Sequence, residues 1–469
     1  MENFSNLVAD ISSWLWGWPL LILLFGTHVF LTFRLGFIQR HIGKAIRLSV
    51  TRDKNSQGDV SQFSALATAL AATIGTGNIV GVATAIALGG PGAVLWVWLT
   101  GILGIATKYS EGLLAVKYRV KRKDGSIAGG PMYYLQYGLK NKKAGKILGI
   151  LFAAFAALAA FGIGSSTQSN SIKDAIFTTF SFASEINIFG IVIATKGLIG
   201  LVLAILAGLV IIGGLKSIAR VSEKIVPFMA FFYVAGCLFI LITGYETLWD
   251  SIKLICNQAF SFEAVGGGAA GTIIMLAARY GVARGLFSNE SGLGSAAIVA
   301  AAARTRNPVR QALVSSSGTF WDTVIICAFT GLVIVNTGAW QSDFTGFQLT
   351  RLAFSNIPFG ETILGLSLVL FAFTTIIGWS YYAEKSIEYL FGRKSILPYK
   401  IAYLVMVFGG AVFSLDLIWN FADITNGLMA IPNLIALVLL SGVVVAETKK
   451  YLNKKNIDAH SNEEMKEVD

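Results

Sequence analysis

Apolar segments of about 20 residues recur along this 469-residue chain and constrain its fold more than any other feature. A helix of that length crosses the hydrocarbon core of a bilayer. Hydrophobic residues make up 55% of the chain and charged residues 13%, whereas soluble domains carry about 25% charged residues. We therefore predict an all-α multi-pass membrane protein with about eleven transmembrane helices. The predicted spans are residues 14–33, 62–88, 91–118, 147–169, 196–214, 225–245, 260–283, 311–335, 360–390, 400–418 and 421–446.

Basic residues are distributed asymmetrically between the loops that connect these spans. One set of loops is rich in lysine and arginine, and the alternate set is poor in both. Because positively charged loops stay in the cytoplasm, this alternation predicts an odd number of spans, an N-terminus outside and a cytoplasmic C-terminus. The basic set comprises residues 34–54, 117–146, 216–224, 304–310, 393–394 and 449–450.

The composition also excludes several classes of protein. The basic residues responsible for the net charge of +11 lie between apolar segments. We therefore expect the lipid bilayer as a partner and no nucleic acid. Three cysteines and three histidines are too scattered for a disulfide framework or a metal cluster. No obligate protein partner is evident, and no cleaved signal peptide is expected, which fits a prokaryotic plasma membrane. We expect residues 295–304 to form a short helix along the cytoplasmic surface, and the tail after Lys449 to be disordered.

The second predicted span contains Gly75-Thr76-Gly77-Asn78 at mid-membrane depth. Glycine weakens a helix, and freed backbone groups find no water in lipid, so a break here indicates backbone that lines a cavity or meets a ligand. The first helix of the second half carries Gly266-Gly267-Gly268 and Gly271-Thr272, which predicts a matching break. The alternative is close helix packing at small residues, which we favour for one glycine cluster but not for a matched pair.

Without the first span, ten spans remain, and they divide into two sets of five with opposite orientation, as in inverted-repeat transporters. The predicted units are an extra N-terminal helix with a basic loop (1–60), a first five-helix repeat (61–246), a second, inverted repeat (247–446) and a charged tail (447–469).

Three motifs then point to a family: GGPGAVLWVWLTG at 89–101, ATKYSEG at 106–112 and GVARGLFSNE at 281–290. Together they resemble the signature of the alanine or glycine:cation symporters (sodium:alanine symporters), although the family often has Phe and Met at Leu95 and Val97. The resemblance covers residues 12–446. It implies the LeuT-type fold of the amino acid–polyamine–cation superfold, and sodium-coupled symport of alanine or glycine by alternating access. Sodium is then the coupling ion, with no organic cofactor and no enzymatic activity.

An amino acid zwitterion needs two opposite electrostatic environments. The backbone amides of Thr76, Gly77 and Asn78 suit the carboxylate, because glycine lets the backbone approach closely. Gln168 can offer an oxygen to the ammonium, and the resemblance supports this. An equally weighted alternative is that the polar patch 165–168 marks the outer membrane boundary. We see no mid-membrane carboxylate near the break, which fits a small neutral substrate.

The remaining candidates for the substrate site lie on two other helices. Thr272, Met275 and Leu276 follow Gly271 on one helical face and could wall the pocket, with ordinary helix packing as the alternative. Trp379, one turn beyond the threonine pair described next, could cap it.

Thr374 and Thr375 are adjacent hydroxyls in the otherwise apolar ninth span, and hydroxyls with carbonyls suffice to bind sodium. The resemblance implies that they bind it together with the carbonyls of Ala71, Ile74 and Phe371. The alternative is that both hydroxyls bond carbonyls of their own helix, and that interpretation would prevail without the resemblance.

Asp322 is the most deeply placed acid, and both a functional role and a helix-locking role stay open for it. A proton-coupled transporter of the same fold, with Asp322 as the carrier, is the first alternative function. An ion channel would show a repeated pore loop, and an enzyme would need paired acids or a nucleophile–base set, so both are disfavoured. Glu111, Arg279, Arg284 and Glu290 fall near cytoplasmic helix ends, where gating and interfacial anchoring are equally compatible with the sequence.

Overall fold

The computed structural model describes residues 2–51, 53, 56–188, 191–260, 270–413, 416–452, 456–461 and 465–468. Helices dominate it. They are α1 (Glu2–Leu15), α2 (Trp18–Arg34), α3 (Ile42–Ser49), α4 (Gln62–Thr73), α5 (Val82–Gly89), α6 (Ala93–Lys117), α7 (Pro131–Gly138), α8 (Lys142–Ala159), α9 (Thr167–Phe180), α10 (Thr195–Ile212), α11 (Gly214–Thr243), α12 (Tyr245–Phe260), α13 (Ala270–Asn289), α14 (Ala297–Ala301), α15 (Pro308–Thr319), α16 (Ala328–Asn336), α17 (Gly346–Phe354), α18 (Gly360–Phe391), α19 (Ile396–Val412), α20 (Asp416–Leu439) and α21 (Ser441–Tyr451).

Three stretches between these helices have wider, π-helical turns, namely Gly77–Gly81, Ala160–Ser166 and Phe320–Cys327. Such turns often occur at functional sites because they displace the side chains around them. The strands are short: β1 (Val120–Arg122), β2 (Ile127–Ala128), β3 (Glu185–Ile188), β4 (Ile191–Ala194) and β5 (Lys466–Val468).

Within the described residues, nine helical stretches are long and apolar enough to cross a membrane, and the bent pair α4 and α5 makes a tenth. Helix α13 occupies the place of the seventh predicted span, and its start adjoins residues 261–269, which lie outside the described part. The predicted class, an all-helical multi-pass membrane protein, is confirmed. The division into two inverted repeats stays a prediction.

The fourth predicted span is longer than expected. One helical stretch runs from Lys142 to Phe180, through α8, the π-helical turn and α9, whereas the sequence pattern ended it at residue 169. That predicted end was wrong because the apolar run stops at Gly164, before the helix ends, and such a stop is typical of a membrane boundary. The polar residues from Ser165 to Gln168 are buried inside the bundle, so their polarity indicates an interior contact instead.

The broken pair α4 and α5 lies in the middle of the bundle. Helix α18 packs against α4, α8, α9 and α11, and α6 packs against α13 and α15. Helix α4 also contacts α11 and α15, while α5 runs beside α13. The break between α4 and α5 therefore has α18 on one side and the end of α13 on another.

The loops rich in lysine and arginine meet at one end of the bundle, which we call the basic end. There β1 pairs antiparallel with β2 and parallel with β5. Arg119 donates to the carbonyls of Ala301 and Ala303 at 3.1 and 2.9 Å. Helix α14 is buried against α4 and α6 and does not lie on the surface as predicted, because its alanines allow close packing.

The C-terminal tail packs against the basic end in both of its described parts. Asn307 donates from its side-chain amide to the carbonyls of Ile457 and Ala459, at 2.8 and 2.9 Å. Ile457 is buried, and Asp458 pairs with Arg310. The prediction of a disordered tail is therefore wrong for residues 456–461 and β5, since an apolar side chain and backbone carbonyls find specific partners there.

Candidate functional site

The predicted break in the second span is present. Helix α4 ends at Thr73, and the chain resumes in the π-helical turn at Gly77, with the two halves bent by 51°. Between them Ile74 has an extended backbone, with φ −76° and ψ 95°. The whole segment from Ile74 to Ile79 is buried, so its backbone groups depend on protein partners.

Gly75 lies where α18 approaches the break most closely. A β-carbon at this position would lie 2.5 Å from the Thr375 hydroxyl oxygen and 3.4 Å from the side-chain oxygen of Gln168. No side chain fits in that space, so glycine is required by close approach. Two helices other than the broken one thus reach the same backbone atom.

Two of the backbone amides in the break make only long hydrogen bonds. The amide of Gly75 donates to the Asn78 side-chain oxygen at 2.8 Å, a normal length. The amide of Thr76 donates to the Gln168 side-chain oxygen at 3.4 Å, and the amide of Asn78 donates to the Gly75 carbonyl at 3.3 Å. Both bonds are longer than the usual 2.7–3.2 Å or so. An anionic oxygen would form shorter, charge-assisted bonds with the same donors.

Gln168 contacts the break directly. Its side-chain nitrogen donates to the Thr76 hydroxyl at 3.2 Å and to the Ile163 carbonyl at 3.0 Å, while its oxygen faces the Thr76 amide. The contact is made possible by the π-helical turn at Ala160–Ser166, which precedes Gln168 on the same helix. This geometry removes the alternative that the polar patch marks a membrane boundary.

The threonine pair of α18 divides between two neighbours. The hydroxyl of Thr375 donates to the Ile74 carbonyl at 3.3 Å and to the Phe371 carbonyl at 3.0 Å. The hydroxyl of Thr374 bonds the same Phe371 carbonyl at 2.9 Å and lies 3.6 Å from the sulfur of Met229 on α11. Among the five residues predicted to bind sodium, Ile74, Phe371 and Thr375 are therefore in one cluster. Ala71, fully buried on α4, lies one turn before Ile74.

A carboxylate lies against the break, contrary to our expectation from the sequence. Asp322, in the π-helical turn Phe320–Cys327, accepts from the side-chain nitrogen of Asn78 at 2.7 Å. It also accepts from the hydroxyls of Ser288 and Thr323, at 3.0 and 2.6 Å. Sequence reasoning missed the contact because the two helices are distant in the chain. With three donors and no described cation bonded to it, this carboxylate holds Asn78 in place.

A second buried break lies beside the first, in a segment that was not predicted to break. Helix α13 ends at Asn289, and the buried chain then turns through Glu290, Gly292 and Gly294, all with positive φ (54°, 91° and 83°), before α14 begins. We call residues 290–296 the second break. The Cα of Ser288, just before it, would lie 3.2 Å from a β-carbon on Gly77 in the first break.

The predicted partner break at 266–268 falls outside the described residues. Leu276 is not at the first break: its carbonyl lies beside Gly89, at the far end of α5. Gly271, Thr272 and Met275 precede it on α13, and their side chains are outside the described part. The glycine cluster at 266–268 gave the stronger sequence signal for a break. The run Ser288-Asn289-Glu290-Ser291-Gly292, however, is as polar and glycine-rich as the first break, and this similarity could have identified the second break.

The second break is held by a carboxylate from within the protein. Glu111 on α6 accepts from the backbone amides of Gly292 and Gly294, at 2.9 and 3.1 Å. The same oxygen accepts from the Asn433 side chain at 2.7 Å. Backbone amides close together in the chain that converge on one anion form a typical anion-binding concavity. Glu111 thus has a structural role inside the bundle that neither gating nor interfacial anchoring describes.

Trp379 connects α18 with the second break. Its indole nitrogen donates to the Glu290 carboxylate at 2.9 Å, and the other oxygen of that carboxylate accepts from the Ser295 hydroxyl. The ring also packs edge-on against Tyr382, with centroids 5.6 Å apart. Trp379 therefore has a fixed orientation one turn from Thr375, and Glu290 is a further site residue that the sequence placed only near a helix end.

The sequence matches the sodium:alanine symporter family over residues 1–466. The sodium/alanine symporter AgcS of Methanococcus maripaludis is 50% identical over 457 residues, with 96% of this chain and 97% of the relative covered. The probable sodium/glutamine symporter GlnT of Bacillus subtilis is 38% identical over 464 residues, with 97% and 91% covered.

The fold is shared with a solved structure. The crystal structure of MhsT in complex with L-phenylalanine matches with a TM-score of 0.55 at 13% identity, covering 83% of this chain and 98% of that chain. At this identity the likeness establishes the LeuT-type fold alone. The family match, in contrast, spans nearly the whole sequence. The chain therefore belongs to the sodium:alanine symporter family, and it is a membrane transporter of amino acids and not an enzyme.

Proposed function

We propose that this protein is a sodium-coupled symporter that imports small neutral amino acids, alanine or glycine, by alternating access. One observation carries the proposal: the buried broken turn at Gly75, which Thr375 from α18 and Gln168 from α9 contact from two sides. A sodium ion at Ile74 and a substrate at Thr76 would share this turn. Each would then stabilise the backbone geometry that the other needs, which is a positive coupling.

The substrate carboxylate binds the amides of Thr76, Gly77 and Asn78 in this proposal. Support comes from the long bonds that the Thr76 and Asn78 amides now make with neutral oxygens. A carboxylate would replace the Gln168 oxygen at Thr76, and that oxygen would then be available to accept from the substrate ammonium. Both ends of a zwitterion would be recognised within one turn of the chain.

The preference for a small, neutral side chain is inferred from the surroundings of the break. Asp322 already accepts from Asn78, Ser288 and Thr323, so it is not free to pair with a cationic substrate. The fixed ring of Trp379 limits the space on the α18 side. Family membership alone does not define the substrate, because GlnT is named for glutamine.

Sodium is placed at the carbonyls of Ile74, Ala71 and Phe371 with the hydroxyls of Thr374 and Thr375. A threonine hydroxyl that donates to a carbonyl keeps lone pairs for a cation, so the present hydrogen bonds are compatible with this role. Thr375 is the better supported of the two, because it already bridges α18 and the break.

The decisive experiment is the uptake of labelled alanine and glycine into proteoliposomes under an imposed sodium gradient. Uptake should follow the sodium gradient and should persist when the proton gradient is collapsed. Transport that ignores sodium and follows a proton gradient would overturn the coupling and favour the alternative, proton coupling through Asp322.

The sodium ligands are tested by the double substitution Thr374→Ala and Thr375→Ala. We expect the sodium concentration for half-maximal uptake to rise about tenfold, equivalent to about 1.4 kcal/mol. Ser367→Ala is the matched control. The Ser367 hydroxyl also donates to a carbonyl of α18, that of Ile363, but Ser367 lies two turns before the threonine pair. Unchanged sodium dependence in a folded double variant would contradict the assignment.

We also propose that the basic end faces the cytoplasm, with the N-terminus outside. Because Cys256 is exposed, the test uses a Cys256→Ser background in intact cells. A membrane-impermeant maleimide should then label the variant Asp343→Cys and should not label Ser461→Cys. The opposite labelling pattern would reverse the topology without affecting the sodium assignment.

A further inference from the structure

A long apolar groove opens between α4 and α11 on the outside of the bundle. It has a volume of about 470 Å³, which is within the range of ligand pockets. Its walls come from α3, α4, α11 and the π-helical turn Phe320–Cys327, and its inner end reaches Ile74 at the first break. Representative wall residues are Val50, Leu70, Pro227, Phe231, Val234 and Trp321.

The rim of this groove faces the surroundings of the protein. Phe231 is 76% exposed and Val50 is 70% exposed. Helix α11 is among the stretches apolar enough to cross the membrane, so what surrounds its exposed face is lipid. The natural occupant is therefore an elongated apolar chain, because the hydrocarbon around the helix supplies it at high concentration.

Three exposed basic side chains lie at the end of the groove towards the basic end. On α11, residues 227, 231 and 234 lie on one stripe, and helical spacing extends that stripe to Lys224 and Arg220. On α3, Arg47 follows the wall residue Ile46. All three basic side chains are exposed, and none forms an ion pair with another described residue.

One nearby acid leaves this group of three bases with a net positive charge. Glu223 precedes Lys224 in the chain, but its carboxylate accepts from the Ser64 hydroxyl of α4. That bond ties α11 to α4 at the basic end of the groove. The basic cluster of Arg47, Arg220 and Lys224 is therefore available to an external anion at the depth where lipid headgroups lie.

We propose that this groove is a binding site for an anionic phospholipid, with one acyl chain between α4 and α11 and the phosphate at Arg47, Arg220 and Lys224. The acyl chain contacts the half of α4 that ends at the break, up to Ile74. The bound lipid thus stabilises the present position of that half-helix. Lipid binding itself does not rest on the proposed transport function and is measured without it.

The first test uses the wild-type protein and a phosphatidylglycerol that carries a photoreactive diazirine in its acyl chain. Illumination in mixed vesicles, followed by peptide mass spectrometry, should label segments 63–74 and 226–238 most strongly. The phosphatidylcholine analogue with the same chain should label them at least fivefold less. Labelling spread evenly over all exposed helices, for both lipids alike, would overturn the proposal.

The second test separates the chain from the headgroup. Ala230→Trp fills the groove and should abolish the selective labelling, whereas Leu209→Trp, on the exposed face of α10, should leave it unchanged. Replacing Arg47, Arg220 and Lys224 by Gln should remove the preference for phosphatidylglycerol and retain chain labelling. Equal labelling in Ala230→Trp and wild type, or cross-links between two protein copies at the groove in place of lipid, would refute the site. The wild-type experiment stands if a variant does not fold.

Discussion

The close contact at Gly75 gives the sharpest prediction. In Gly75→Ala, the new methyl group would lie 2.5 Å from the Thr375 hydroxyl oxygen, a distance that real side chains do not adopt. The neighbour, Thr375, is a short, β-branched side chain on a buried helix and cannot simply swing away. The contact can be relieved only if α18 moves away from the break or the break itself changes shape.

The size of the effect follows from overpacking. Inserting a methylene into a packed core costs about 1–3 kcal/mol. If the strain is relieved by opening the junction between Thr375 and Ile74, the same energy is lost from sodium binding. We expect the sodium concentration for half-maximal alanine uptake to rise by about 5- to 150-fold. The assay is alanine uptake into proteoliposomes at varied sodium, with external potassium keeping ionic strength constant.

Two further glycine variants make the test graded. A β-carbon on Gly26 in α2 meets nothing within 4 Å, so Gly26→Ala should behave as the wild type. A β-carbon on Gly77 would lie 3.2 Å from the Cα of Ser288, so Gly77→Ala should be intermediate. If Gly75→Ala remains folded and its sodium dependence equals that of Gly26→Ala, the junction does not bind sodium and the reasoning fails.

Three other predictions follow from contacts around the two breaks and at the basic end. Trp379→Phe removes a donor from the buried Glu290 carboxylate and should lower the stability of the purified protein to heat by about 2 kcal/mol, while Glu290→Gln keeps an acceptor for the indole and should cost less. Asp322→Asn loses at least one of three accepted hydrogen bonds and should reduce uptake at every pH; a pH dependence of the wild type that vanishes in this variant would instead favour proton coupling. Asp458→Asn breaks a pair that is largely exposed on the Asp458 side, so unfolding measurements should show a loss of at most about 1 kcal/mol, and a larger loss would mean that the tail stabilises the basic end far more than its contacts suggest.

The first break could be predicted from the sequence because its cause is local. Glycines and an asparagine inside a membrane-spanning stretch conflict with a continuous lipid-facing helix, whatever surrounds them. The order of the membrane-spanning helices followed from apolar length in the same way. Both properties depend on a few neighbouring residues, so one sequence is enough to detect them.

The contacts that make the break a site could not be predicted in this way. Asn78 and Asp322 are 244 positions apart, and only the packing of the bundle brings them together. The second break, after Ser288, was not predicted because the glycine run at 266–268 looked more like a helix interruption than this polar run. For residues 165–168 a membrane boundary was an equally weighted alternative, and Glu290 was expected near a helix end, whereas both segments are buried inside the bundle.

The two breaks differ in one respect that indicates where a substrate carboxylate binds. In the second break, the amides of Gly292 and Gly294 already bind the carboxylate of Glu111 at 2.9 and 3.1 Å. In the first break, the amides of Thr76 and Asn78 meet only neutral oxygens, at 3.4 and 3.3 Å. Glu111 therefore supplies from within the chain, at one break, the kind of group that the other break lacks. Because the second break is internally saturated, an incoming carboxylate is directed to the first, beside Thr375 and Ile74, where the coupling ion is proposed to bind.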